Sequence, residues 1–493
     1  MTKKIISILL VTVMTAAALS GCGGTDKGGS GTVTTAAASA ETAETTAAEL
    51  RPDLPDTKFD GADFGIFYSN NAEYGGTKND FFAEELNGEL INDARFDRNR
   101  IIEEAFDIKL FTEDLPGTSA TAATTKMRTM VMSGDDTFDL MLSCGYTTCD
   151  LAADGLLYDL YEIPWLELSN PWWDQKANEH LTVMGHMFYT TGDISTADNE
   201  ATYCIMFNKN MFEDYQLDNP YDLVSGGVWT IDKWIEMITG VAEDLDGNGK
   251  FDSNDRYGAM LWDDTMMGVV NATGEKCCTV NSDGEIELTL YSDKTVSIIE
   301  KYFSVALDKS QTYTYQRYNW DDKLLGSMFK NNQSLFILQL LQMVPKLRDM
   351  EADFGIIPYW KADEKQDEYY NTVGSWHSVF MAVPLVQKDV ERTGMVAELF
   401  AFEGMNLLTP AYYDLTLKTK AARDEESSEM LDIIFRTRVF DLGWYYAIGG
   451  YNEQVMNLLR QFKSDFTSMY NTYENKALDR IKQLNENFAE IGK

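Results

Sequence analysis

Asp63-Phe64-Gly65-Ile66-Phe67-Tyr68-Ser69-Asn70-Asn71 sets the fold class of this 493-residue chain. Phe64, Ile66 and Tyr68 recur at period two, the spacing of one face of a β-strand, and the polar Ser69-Asn70-Asn71 ends it. Downstream, Phe82, Leu86, Leu90, Ala94, Ile101, Ile102 and Phe106 fall on helical spacing. Ile108-Lys109-Leu110-Phe111 predicts a second strand, Thr124 to Met132 a second helix, and Phe138 to Leu142 a third strand. Strand, helix, strand, helix, strand predicts an α/β fold, a mostly parallel sheet covered by helices. Ligands of such sheets sit beyond the carboxyl ends of the strands, which points to Tyr68–Asn71 and to Cys144-Gly145-Tyr146.

The middle of the chain changes character. Phe188 to Asp193 leads through a polar run to Tyr203-Cys204-Ile205-Met206-Phe207-Asn208-Lys209, and Thr230 is placed to cap a helix that begins Ile231-Asp232-Lys233-Trp234. Asp283-Gly284 predicts a hairpin turn between Thr279-Val280 and Ile286 to Leu290. An extended strand, Phe207-Asn208-Lys209-Asn210-Met211-Phe212, a loop, and then Trp229-Thr230 before a helix resembles the family 1 extracellular solute-binding proteins, the maltose-binding-protein-like receptors of ABC importers. Ser334 to Leu341, then Asp353-Phe354-Gly355-Ile356-Ile357-Pro358 and Ala382-Val383-Pro384, are similar to that family's later strands. The resemblance spans roughly residues 60 to 490. It implies a type II periplasmic-binding-protein fold, two discontinuous lobes joined by hinge strands. Lobe one is expected over 59–192 plus 336–384, and lobe two over 193–335 plus 385–493.

At the amino end, Met1-Thr2-Lys3-Lys4 is followed by an almost wholly apolar run from Ile5 to Leu19, too short for a spanning helix and read as a signal peptide over 1–21. Leu19-Ser20-Gly21-Cys22 resembles the lipobox of bacterial lipoproteins, which implies cleavage before Cys22 and a lipid on its sulfur. Residues 22–58 are rich in Gly, Ser, Thr, Ala and Glu, with Val33 the one large apolar side chain before Leu50, and are read as a flexible tether. The expected location is therefore the extracytoplasmic face of the cell membrane, through a lipid anchor.

Composition bounds the partners. Forty-one Lys plus Arg stand against 79 Asp plus Glu, a net charge of −38, which argues against nucleic acid and for a solvated acidic surface. A hydrophobic fraction of 44% supports substantial cores. Beyond Cys22 there are five cysteines (Cys144, Cys149, Cys204, Cys277 and Cys278) and no C-x-x-C pair; buried free thiols are favoured over a Cys144–Cys149 bridge.

One chemical motif is sharp. In Asp244-Leu245-Asp246-Gly247-Asn248-Gly249-Lys250-Phe251-Asp252-Ser253-Asn254-Asp255, oxygen donors occupy positions 1, 3, 5, 9 and 12, the Lys250 carbonyl falls at position 7, and Gly249 stands where the chain must turn. Asp244, Asp246, Asn248, Lys250, Asp252 and Asp255 are the expected ligands of a structural Ca²⁺, with Phe251 turned inward. Asp255 replaces the usual Glu, as in dockerin-like loops.

Sugar receptors pair aromatic platforms with hydrogen-bonding side chains in a cleft. Tryptophans in polar, loop-like contexts include Trp262-Asp263-Asp264, Asn319-Trp320-Asp321, Ser375-Trp376-His377 and Gly443-Trp444-Tyr445-Tyr446, whereas Trp229 and Trp234 read as core. The expected cleft residues are Tyr68, Asn70, Tyr146, Asp193, Trp262, Trp376 and Trp444, Asp193 lying at the first crossing between lobes. The expected function is a monomeric receptor that captures a carbohydrate, an oligosaccharide, and delivers it to an ABC permease. A surface glycan-capture protein without a transporter and a glycan-active hydrolase are the alternatives. No H-E-x-x-H, G-x-S-x-G or P-loop is present, and His180, His186 and His377 read as structural.

Overall fold

The computed structural model describes residues 51–69, 81–114, 120–318, 322–417 and 425–491. Cys22, the tether up to residue 50, Asn70 and Trp320 lie outside the described residues.

The chain opens as its periodicity predicts. Strands β1 (Ala62–Ser69), β2 (Ile108–Asp114) and β3 (Leu140–Ser143) are parallel, β1 in the centre, with Phe64 opposite Leu110 and Tyr68 opposite Leu142. The first helix differs in length. It begins at Leu90 and not near Phe82, because Gly88 takes φ +87° and the Asp93 carboxylate accepts hydrogen bonds from the amides of Asn87 and Gly88. Phe82 and Leu86 are left exposed ahead of it.

The chain then crosses to a second sheet. It contains β4 (Tyr203–Asn208) and β5 (Tyr257–Leu261), with a small hairpin of β6 (Cys278–Val280) and β7 (Ile286–Leu288) outside it. Strands β8 (Thr312–Thr314), β9 (Ser334–Leu340) and β10 (Phe354–Ile357) complete the order β10-β4-β9-β5-β8. Gly284 forms the expected hairpin turn at φ +82°, and Thr230 caps helix Ile231–Ile238 by accepting from the Lys233 amide. The chain returns through β11 (Asn371–Thr372) to β12 (Phe380–Ala382), which joins β3 antiparallel, and β13 (Arg438–Val439) later pairs with β11.

Two stretches expected in one lobe belong with the other sheet. The resemblance puts 336–384 in lobe one, yet β9 and β10 lie in the second sheet, and only β12 of that stretch joins the first. All seven residues of β9 are buried, and the strand pairs with β4 on one edge and with β5 on the other. Helix Val390–Glu403, expected in lobe two, packs Phe400 into the core that holds Phe64 and Ile66, 5.6 Å from the ring of Phe81.

The two connections run antiparallel beside each other between the sheets. Thr190 and Met381 exchange backbone hydrogen bonds of 3.0 and 2.8 Å, and Thr202 bridges Val373. Gly404 packs directly on this crossing; a Cβ there would stand 1.8 Å from the carbonyl oxygen of Asp193. The closing helix Phe466–Ile491 touches both parts. Near its start Tyr470 packs on Tyr291, which follows the β6–β7 hairpin, at 4.7 Å. Near its end Phe488 stacks on Phe188 at 5.6 Å and Asn487 donates to the Ala153 carbonyl.

The five cysteines from Cys144 onward are free and buried. Among the described residues no helix is long and apolar enough to cross a membrane.

Candidate functional site

At the carboxyl ends of the strands lies a cavity of about 470 Å³ whose walls follow strands of both sheets. Beyond β3, helix Gly145–Ala153 presents Tyr146 in its first turn. Beyond β5 comes the turn Trp262-Asp263-Asp264, and beyond β8 comes Tyr315. Trp376 and His377 stand between β11 and β12, on the return crossing, and helix Tyr451–Arg460 adds Asn452, Glu453, Met456 and Arg460.

The aromatic side chains are locked against one another. Trp376 and Tyr146 meet at 5.8 Å with their planes tilted by 60°. Trp262 lies 6.4 Å from Tyr203 in a stacked arrangement and meets the edge of His377 at 5.5 Å. Asn452 donates to the Tyr146 hydroxyl at 2.9 Å, tying the helix that carries it to the one beyond β3. Burial pushes the Tyr146 phenol up to about 12, so it stays protonated. Burial, with the charge of Lys346, pushes His377 down to about 3, so its imidazole is neutral, and its Nδ1 has no hydrogen-bond partner among the described residues.

The acids are unequal. Arg460 forms ion pairs with Asp263, which is fully buried, and with Glu453. Asp264 occupies the N-cap position of helix Thr265–Asn271 but makes no capping hydrogen bond, so its carboxylate stays available to the cavity. Burial, reinforced by the charge of Asp263, raises the Asp264 carboxyl above the usual range.

Of the residues anticipated for the cleft, Tyr146, Trp262 and Trp376 line this one cavity. Tyr68 does not. It is 1% exposed and packs on Phe81, because its strand position turns the ring into the core. Trp444 is also core: Asp441 caps the short turn that carries it, and its indole donates to Asn271 at 3.0 Å. Asp193 sits on the first crossing as expected, but it accepts from Thr409 at 2.5 Å and faces Arg438 instead of the cavity; burial pushes it up to about 6. Asp263, Asp264, Asn452, Glu453 and Arg460 were not anticipated. The two aspartates adjoin Trp262 in sequence, whereas nothing local marks helix 451–460 as a wall.

The loop 244–255 has the form its glycines predict. Gly247 and Gly249 take φ +69° and +75°, and carboxylate oxygens of Asp244, Asp246 and Asp255 come within 4.8 Å of one another. Asp244 accepts from the amides of Gly247 and Gly249, and Asp255, fully buried, accepts from those of Leu245 and Asp252. These bonds leave lone pairs for an ion, and an all-oxygen set suits a hard cation. Asp252 accepts from Asn254, and Asn248 from Lys250, whose side chain is exposed. Phe251 packs at 5.9 Å on Tyr257.

No protein-family model and no curated protein matches the sequence. Among solved structures, the chain is similar to an ABC substrate-binding protein from Listeria monocytogenes in complex with cycloalternan, at 13% identity, 87% of this chain, 100% of that chain and a TM-score of 0.52. A cyclo/maltodextrin-binding protein complexed with maltotetraose gives 13% identity over 86% and 98%, with a TM-score of 0.55. A solute-binding protein from Thermotoga lettingae bound with α-D-tagatose gives 14% over 86% and 100%, with a TM-score of 0.53. The chain therefore has the α/β fold of the ABC-transporter solute-binding proteins, with its cavity where the two sheets' carboxyl ends meet.

Proposed function

We propose that this chain is the substrate receptor of an ABC importer and captures a carbohydrate, an oligosaccharide, between its two lobes. The observation that carries the reading is the cavity itself. Trp262, Trp376 and Tyr146 offer apolar faces of the kind that cover sugar C–H surfaces, and Asp264, Asn452 and neutral His377 offer hydrogen-bonding groups beside them. The structural neighbours, an ABC substrate-binding protein in complex with cycloalternan and a cyclo/maltodextrin-binding protein complexed with maltotetraose, support it. Closure about the paired crossings at Thr190–Met381 and Thr202–Val373 would seal the ligand, and the permease would select the closed form. No covalent step is required, and the protein is not an enzyme. The receptor would act as a monomer, held at the outer face of the membrane by a lipid on Cys22 and lifted from it by the tether.

Loop 244–255 would hold a Ca²⁺ ion through Asp244, Asp246, Asn248, Lys250, Asp252 and Asp255. Its role would be structural, since it lies apart from the cavity. Titration of the purified chain with an oligosaccharide panel, read by thermal shift, tests the receptor reading. A saturable rise in melting temperature with at least one sugar, without its hydrolysis, is the expected result; no rise with any sugar refutes it.

A further inference from the structure

The carbohydrate reading leaves open which sugars the cavity takes, and the charges lining it narrow the class. Among the described residues, Asp150, Asp263, Asp264 and Glu453 line the cavity against a single guanidinium, Arg460. That guanidinium is already engaged by Asp263 and Glu453. Asp263, although fully buried, still leaves Oδ1 without a hydrogen-bond partner. The carboxylate of Asp264 forgoes the capping bond its position offers and has no hydrogen-bond partner among the described residues. His377 supplies no compensating charge, being neutral. Around these acids stand Tyr146, Trp262 and Trp376.

Burial and the charge of Asp263 favour the protonated form of Asp264 in the open cavity, and a neutral sugar closing over it would leave Asp263 and Glu453 sharing one guanidinium in low dielectric, which is costly. An ammonium group brings three donors and a positive charge, and the electron-rich aromatic faces favour it as well. We propose that the cavity selects amino-bearing sugars, with the protonated amine facing Asp264, drawn into its ionised form, and the sugar ring against Trp262 and Trp376. Asp264 is the specificity-determining residue.

The test is calorimetric titration of the full chain with matched pairs that differ only in an amine replacing a hydroxyl: glucosamine and glucose, galactosamine and galactose, and the β-1,4 tetramers of glucosamine and glucose. At pH 6 and low salt at least one amino sugar is expected to bind ten-fold or more tighter than its neutral partner. That ratio should shrink in high salt, which needs no variant, and should fall at least ten-fold in Asp264→Asn, with folding checked by melting temperature. Neutral sugars binding as tightly as their amino partners would overturn this proposal and leave the carbohydrate reading standing. An amine preference that Asp264→Asn leaves intact would also overturn it. Binding of neither kind would bring down both.

Discussion

Replacing Arg438 with Met should expose how the crossing between the sheets is held. The guanidinium is 11% exposed and forms ion pairs with Asp174 and, at 3.0 Å, with Asp198, whose side chains are 5% and 2% exposed; it also donates to Asn199 at 2.7 Å. Asp193 and Tyr413 face it as well, and the ring of Phe435 lies 5.4 Å away. Met keeps the apolar stem and removes the charge, leaving two buried carboxylates without their cation, a loss of about 3–5 kcal/mol. The deficit should depend on pH with a definite sign. Burial pushes Asp198 up to about 7 even with Arg438 present, so the folded state binds the proton more tightly than the unfolded chain, and ionisation of Asp198 lowers stability as pH rises from about 4 through 7. Without Arg438 the folded value rises further, so the deficit grows with pH. Urea unfolding at pH 8 and pH 5 measures it: the loss at pH 8 should exceed that at pH 5 by at least about 1.4 kcal/mol, one pKa unit. Equal losses at both pH values, or a loss below about 1 kcal/mol at pH 8, would refute the reasoning.

Trp376→Ala should weaken oligosaccharide binding more than about ten-fold, near 1.4 kcal/mol, while the melting temperature holds, as titration calorimetry and calorimetric melting would report. Trp444→Phe should do the opposite. Loss of the indole bond to Asn271 should cost about 1–3 kcal/mol in urea unfolding and leave affinity unchanged, and a large affinity loss would return Trp444 to the site. Wild-type protein should melt higher in millimolar calcium than in chelator, and Asp246→Ala should erase the difference; identical wild-type melting in the two solutions would remove the metal from loop 244–255.

What was readable in the sequence was local. The period-two run at Phe64 to Tyr68, the cap at Thr230 and the turn at Asp283-Gly284 each depend on residues a few positions apart, and each appears where expected. What could not be read was set by partners far along the chain. Trp444 looks like a loop residue beside Gly443, yet Gly443 is there because Cys277 presses on it; a Cβ at 443 would meet the Cys277 sulfur at 2.5 Å. Strand β9 carries no mark of which sheet it will enter, because all seven of its residues are buried and its neighbours β4 and β5 come from distant parts of the chain. The cavity divides in the same way. Trp262 and Trp376 stood out by composition, whereas Arg460 reaches Asp263 from nearly two hundred residues away.

Helix Phe466–Ile491 has a consequence for truncation as much as for the fold. Its 26 residues span about 39 Å, and its final turns carry the contacts to Phe188 and Ala153. A stop codon arising a few positions early, at 485 for instance, would spare every residue that lines the cavity. It would nonetheless remove Phe488 and Asn487 and with them their contacts to Phe188 and Ala153. Phe488 and Asn487 are thus held by packing as the core is, although they lie outside the cavity.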